Sequence, residues 1–245
     1  MRALEIPEVV RQAGFKPLHG YSTTALGSLG LNGSPEPDVV MRRREDFARE
    51  VGFDLGRALF TVQEHGAVVR AFHRATPEGG QCVLGTDALS TDVPGQALVT
   101  YHADCYPVFF LDRGRGVVAG AHAGWRGSLS GVATQTLQAM HLAYGTEPEQ
   151  LQVLIGPGIC AHCYEVGADV AAQFVKRYAR ESRYLARAGG GLHLDLEAVI
   201  RLQLEDQDVP AAQISATGWC TREEPRWFSH RGSRPGRFLA AIVAP

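Results

Sequence analysis

Ala97-Leu98-Val99-Thr100-Tyr101, Tyr106-Pro107-Val108-Phe109-Phe110-Leu111 and Gly116-Val117-Val118-Ala119-Gly120-Ala121-His122 are three near-continuous apolar runs separated by short breaks. A strand with one wet face alternates apolar and polar residues, so unbroken runs of this length read as strands buried on both faces. Several strands running together break any strict alternation of strand and helix. The sequence therefore predicts an α+β fold: one compact domain over 1–245, with mixed β-sheets layered against helices.

On the C-terminal side of these runs, Val132, Leu137, Met140 and Tyr144 recur at helical spacing and Gly145 follows, which predicts a helix over 128–144. The turn at 123–127 then joins strand to helix, and a helix N-terminus is expected just after Trp125-Arg126-Gly127. On the N-terminal side, Val39, Val40, Phe47 and Val51 predict an amphipathic helix, with Ser34 as N-cap and Gly52 as stop. The β-prone runs 58–63 and 67–72 flank a Glu64-His65-Gly66 turn. Further along, 151–155 and 238–243 read as strands, 168–178 and 196–204 as helices, and Gly189-Gly190-Gly191 as a loop. No repeat of fixed period is present.

The 245 residues are 45% hydrophobic and 20% charged, which sets aside disordered, collagenous and coiled-coil classes. Lys plus Arg is 24 against 26 for Asp plus Glu, so no basic field gathers phosphate backbones, and nucleic acid is not expected as a partner. Glu5 and Glu8 stand where a signal peptide would need an apolar run, and no stretch approaches the roughly 18 apolar residues of a membrane span. A cytoplasmic protein without membrane association is expected. Its five cysteines, an odd number in a chain of this size, suit a reducing compartment where thiols act as ligands or nucleophiles.

Three strand ends carry unusual chemistry. Gln63-Glu64-His65-Gly66, Ala103-Asp104-Cys105-Tyr106-Pro107 and Ala121-His122-Ala123-Gly124-Trp125-Arg126-Gly127 embed two imidazoles and one thiol in apolar surroundings. Nitrogen, sulfur and nitrogen donors leave a fourth position open on zinc, the arrangement of a catalytic site. Spacing alone leaves packing roles open, because a lone strand-end His or buried Cys is commonly structural. Two other readings stand beside zinc. Cys105 could be a nucleophile with His122 or His65 as its base, as in a cysteine hydrolase or amidase. Two His, one Cys and an axial Met would make a blue-copper site, yet Met1, Met41 and Met140 fall in the N-terminus and two predicted helices, and no His-x-His pair occurs. A multicopper oxidase is thus poorly supported, although divalent copper competes well for such ligands. Arg126, just before a predicted helix start, is placed to hold phosphate, ahead of Arg42, Arg231 and Arg237. Cys160-Ala161-His162-Cys163 lacks a second cysteine pair and is read as a structural turn, with Cys82 and Cys220 as packing residues.

The strings Ala103-Asp104-Cys105-Tyr106-Pro107, His122-Ala123-Gly124-Trp125-Arg126-Gly127, Ile155-Gly156-Pro157-Gly158-Ile159 and Cys163-Tyr164-Glu165-Val166-Gly167 resemble the laccase-domain purine nucleoside phosphorylase family, formerly described as multicopper polyphenol oxidases. The resemblance runs from Leu31-Asn32 through Gln63-x-His65-Gly66 to Cys220-Thr221, Phe228-Ser229-x-Arg231 and Gly236-Arg237. It implies zinc on His65, Cys105 and His122, with copper as a competitor. The implied reactions are phosphorolysis of adenosine, inosine, guanosine and methylthioadenosine, with adenosine deamination as a second activity; a cell-wall-precursor amidase role has also been associated with the family. Catalytic roles fall to Cys105, His122, Arg126 and Asp104, with Glu64 as a second candidate to shuttle a proton. Contact with the purine nucleoside and phosphate falls to Asn32, Arg42, Trp125, Cys163, Tyr164 and Arg231. Met41, His102 and Cys160 depart from the family pattern, and His102 is read as a strand residue.

Overall fold

In the computed structural model of the chain, residues 6–31 and 36–245 are described. Two six-stranded mixed sheets pack face to face, and a small three-stranded sheet stands beside them. The first sheet runs in the order Val9–Val10, His19–Ser22, Phe238–Val243, Ala97–His102, Leu59–Val62, Gln81–Leu84. The second runs Ile214–Ala216, Leu151–Ile155, Tyr106–Asp112, Val118–Ala123, Ala88–Thr91, Val69–Phe72. The expected α+β class with mixed sheets is what the chain forms.

The apolar runs are explained by burial on both faces. Leu59, Val83, Leu98 and Ile242 from the first sheet meet Leu89, Phe109, Leu111, Val118 and Leu154 from the second. The alternate residues Ala97, Val99, Leu239 and Ala241 turn outward onto Phe47 and Val51 of the helix Pro37–Val51. Val108, Phe110, Ala119 and Ala121 turn the other way, onto the helices Val132–Tyr144 and Leu196–Glu205. With a side-chain period of two, each strand feeds two cores at once, and the few polar residues, such as Thr61, Ser90 and Thr100, are themselves buried. Phe109 is fully buried in the middle core, and truncating such a ring to Ala costs about 3–5 kcal/mol.

One topological device repeats three times. The parallel strands Leu59–Val62, Gln81–Leu84 and Ala97–His102 of the first sheet each end in a short crossing to a strand of the second sheet: Val69–Phe72, Ala88–Thr91 and Tyr106–Asp112, respectively. His65, Asp87 and Cys105 lie on those three crossings. Val118–Ala123 runs antiparallel to Tyr106–Asp112, pairing Pro107 with His122, which returns His122 to the same rim.

Some local expectations change. The runs flanking His65 are strands, as expected, and they belong to different sheets. The helix after the third run is two helices, Trp125–Leu129 and Val132–Tyr144, because Gly131 sits in the left-handed region at φ 83° and breaks the hydrogen-bond ladder. Its first turn therefore begins at Trp125 rather than after Gly127. Gly189 and Gly190 turn a hairpin between Leu185–Ala188 and Gly191–Leu194. The helix Pro37–Val51 starts from Glu36 and ends at left-handed Gly52; Ser34 lies outside the described residues. No helix among the described residues is long and apolar enough to cross a membrane.

Candidate metal centre

The three crossings and the returning strand bring His65, Cys105 and His122 together, with one ligand atom from each lying within 4.8 Å of the others. His122 is buried, Cys105 half-buried and His65 exposed, so the cluster opens to solvent on the His65 side. His65 takes φ 60° and Asp104, beside Cys105, takes φ 81°. Two non-glycine residues in this sparsely populated region are held there by their surroundings.

Asp87 supplies much of that hold. Its Oδ1 accepts the His65 backbone N–H at 3.0 Å, and Oδ2 accepts those of Gly66 at 2.8 Å and Glu64 at 3.2 Å. Oδ1 also accepts from His122 Nδ1 at 2.9 Å, and the Asp87 carbonyl accepts the His122 backbone N–H. With Nδ1 committed to the carboxylate, Nε2 is the nitrogen His122 presents to the cluster, a carboxylate-oriented imidazole of the kind found behind metal ligands. Nothing in the residue pattern singled out Asp87, whose only sequence signal is an acid directly before a buried strand.

Burial by itself would push the Cys105 thiol up, but the charge on His122 and hydrogen bonds from His122 and His65 bring it down to about 6. Burial would likewise lower His122, and the Cys105 thiolate with the Asp87 carboxylate raises it to about 9. The pair is thus a thiolate beside an imidazolium, ready to exchange its proton for a metal. Gly124 completes the cradle: a Cβ there would stand 2.8 Å from Cys105 Sγ, 3.2 Å from His65 Cδ2 and 3.7 Å from His122 Cε1. Zn–S of about 2.3 Å and Zn–N of about 2.0 Å make tetrahedral edges of about 3.5 Å. The donors lie within 4.8 Å of one another, and their chemistry fits a borderline-soft dication.

Tyr164 stands near the cluster. Burial pushes its phenol up to about 12; Arg231 and Arg126 pull against this, while Cys105 and Asp104 add to it. The Arg231 guanidinium lies 5.0 Å from the Tyr164 ring centroid, and exposed Arg126 lies 4.4 Å from that of half-buried Trp125. Cys163 is buried beside Tyr164. Arg126 sits in the first turn of a five-residue helix, so its own guanidinium, rather than the helix end, is what it offers an anion.

Other expectations fall elsewhere. Asp104 is buried, with Oδ1 accepting from Thr221 Oγ1 and Ser229 Oγ, each at 2.7 Å, and Oδ2 from the Arg231 backbone N–H at 2.7 Å. Arg42 is exposed on its helix. The buried arginine there is Arg44, bonded twice to the Leu29 carbonyl and lying over Phe60 and Tyr101. Asn32 lies outside the described residues. Cys82 is exposed on the strand Gln81–Leu84 instead of packed, whereas Cys220 is buried in the core. Buried His102 reaches the Cys105 carbonyl through Nδ1 at 3.0 Å and the Thr100 hydroxyl through Nε2 at 2.7 Å, bracing the Cys105 crossing. Cys160 does not stand in an isolated turn: it gathers with His162, Cys163 and Glu223.

Residues 12–245 match the family model described as multi-copper polyphenol oxidoreductase laccase. The chain is 35% identical over 240 residues to a purine nucleoside phosphorylase of Deinococcus radiodurans, covering 93% of this chain and 89% of that protein. It is 34% identical over 213 residues to adenosine deaminase RL5 of an unknown prokaryotic organism, covering 83% and 81%. The crystal structure of YlmD from Geobacillus stearothermophilus superposes with a TM-score of 0.89 at 30% identity, covering 99% of this chain and 98% of that one. The three-crossing rim and its donors are thus set in a recognised lineage, and the chain belongs to the multi-copper polyphenol oxidoreductase laccase family.

Proposed function

We propose that this chain is a cytoplasmic, zinc-dependent purine nucleoside phosphorylase acting on adenosine, inosine, guanosine and methylthioadenosine, with adenosine deamination as a second activity. The observation that carries the reading is the Cys105 sulfur flanked by His65 and by a His122 that Asp87 orients from behind. Relatives named purine nucleoside phosphorylase and adenosine deaminase support the enzyme class.

His65, Cys105 and His122 hold the metal in this reading, and when bound it supplies Lewis-acid polarisation of an oxygen at the rim. In phosphorolysis a phosphate oxygen forms a bond to ribose C1′ while the C1′–N bond breaks and its electron pair leaves with the purine. Arg126 and Arg231 carry the charge to bind that phosphate, whose own negative charge steadies the developing positive sugar. The Trp125 and Tyr164 rings supply flat apolar faces for the purine, with Cys163 behind Tyr164. Asp104, saturated by three donors, positions the Arg231 loop rather than passing a proton. Exposed Glu64 at the mouth is the better-placed acid for deamination, where water replaces the amine at purine C6 and ammonia leaves.

The depressed Cys105 thiol also favours a second reading, a cysteine hydrolase with His122 as base. Two imidazoles converging on one sulfur fit a ligand better. Metal analysis of the purified protein, with adenosine turnover followed chromatographically with and without phosphate, separates these readings. Adenine with ribose 1-phosphate supports phosphorolysis and inosine supports deamination; neither product from metal-loaded protein overturns the nucleoside reading. In Cys105→Ser, lost metal marks a ligand, and retained metal with lost activity marks a nucleophile.

A further inference from the structure

We propose that Cys160, His162, Cys163 and Glu223 form a second zinc site, closed and structural, that shares no donor with the rim of His65, Cys105 and His122. One ligand atom from each of the four residues lies within 4.8 Å of the others. Cys160 Sγ is 3.9 Å from His162 Nε2, the nitrogen that also faces Glu223, close to a tetrahedral edge around zinc of about 3.5 Å. Two sulfurs, an imidazole and a carboxylate fill four positions, leaving none open for substrate, which is the signature of structural zinc. Paired thiolates also exclude magnesium and calcium, which take oxygen.

The site is assembled before any metal arrives. Cys160, His162 and Cys163 lie on or beside one tight turn, Ala161–Cys163, so a single turn of backbone delivers three donors. Glu223 comes from a distant loop bound alongside by main-chain contacts: Gly158 N–H to the Trp219 carbonyl at 3.2 Å and Thr221 N–H to the Gly158 carbonyl at 3.0 Å. Arg222 reaches the Cys163 carbonyl at 3.2 Å, and Cys220 Sγ accepts the Cys160 N–H at 3.4 Å. His162 and Glu223 already form an ion pair. Because the loops are fixed without metal, binding spends little on ordering them. His162 and Glu223 are exposed and Cys163 is buried, giving an entry side and a dry side. Binding sends two thiol protons to water.

The test counts metal, so it stands whether or not the nucleoside reading holds. Protein saturated with zinc and dialysed is expected to retain two zinc ions per chain by elemental analysis. Cys160→Ala and, more gently, Glu223→Gln retain one and keep the activity of the parent. Cys105→Ser also retains one, and its combination with Cys160→Ala retains none. Cobalt(II) in Cys105→Ser is expected to show thiolate charge-transfer absorption that disappears when Cys160 is also replaced. Wild-type protein holding a single zinc that Cys105→Ser abolishes overturns the proposal. So does a Cys160–Cys163 disulfide, seen as a mass two hydrogens lighter, in protein that takes up no second zinc after reduction.

Discussion

The Asp87 carboxylate bonds His122 Nδ1 at 2.9 Å and, with the same two oxygens, three consecutive backbone N–H groups of the His65 turn. One side chain thus aims one proposed ligand and fixes the backbone of another. Asp87→Asn keeps the size but loses the charge and acceptor capacity. Metal affinity is expected to fall about 10–100-fold, read by competition with a coloured chelator, while Glu64→Gln leaves affinity within twofold.

Gly124 tests the cradle sterically. Its φ of −81° suits any residue, so Gly124→Ala imposes no backbone strain and acts only through a Cβ placed 2.8 Å from Cys105 Sγ. Overpacking of this kind costs about 1–3 kcal/mol. The variant is expected to fold, by circular dichroism, yet bind metal at the rim at least tenfold more weakly than the parent.

Arg126 separates phosphate binding from metal binding. Arg126→Ala is expected to raise the phosphate KM at least tenfold, about 1.4 kcal/mol of lost contact, with zinc content unchanged. Arg126→Lys recovers charge but not the fork of donors and should fall between. An unchanged phosphate KM assigns the anion to Arg231 instead.

Ser229 and Thr221 both donate to Asp104 Oδ1 in a buried setting. A hydrogen bond to a charged group contributes about 1.5–3 kcal/mol, so Ser229→Ala is expected to lower the urea midpoint accordingly. Because both hydroxyls share one oxygen, the loss in Ser229→Ala/Thr221→Val should depart from the sum of the single losses.

Acid sensitivity is expected from His19. Burial holds it below its ordinary 6.5, and its two nitrogens specify the neutral ring: Nδ1 donates to the Pro17 carbonyl at 2.8 Å and Nε2 accepts the Gln12 N–H at 3.1 Å. The unfolded chain therefore binds the proton first. Stability is complete above pH 6.5 and is lost as pH falls from 6.5 toward the folded value, by up to about 1.4 kcal/mol per pH unit for this group. Denaturation midpoints across pH 5–8 should show a shallower slope in His19→Gln, the remainder coming partly from His102, which burial also holds well below 6.5.

The legible parts of this chain were those whose physics is local. Apolar runs such as Tyr106–Asp112 announce burial on both faces, and His65, Cys105 and His122 stand out because apolar strands seldom end in ligands. Asp87 did not, since a single acid in Gly85-Thr86-Asp87 resembles any turn, and its meaning depends on a residue 35 positions away. The same holds for Glu223, 61 positions from His162. Gly131 gives no sequence signal of its own, because one glycine inside a helical pattern is often tolerated; its left-handed φ makes it a break. Adjacency to Cys105 suggests a proton carrier at Asp104, but its partners lie more than a hundred residues downstream.

The repeated crossing has a mechanical consequence. Two of the three proposed ligands hang from segments that leave one sheet for the other, and the third ends a strand of the second sheet. A metal closing that triangle works as a hinge pin at one rim, leaving the sheets able to splay only from the opposite rim, near the Asp112-to-Val118 turn. Loss of metal would free both rims, so the stripped protein should unfold faster with little change in folding rate, and amides of Ala97–His102 should exchange sooner than in the loaded form.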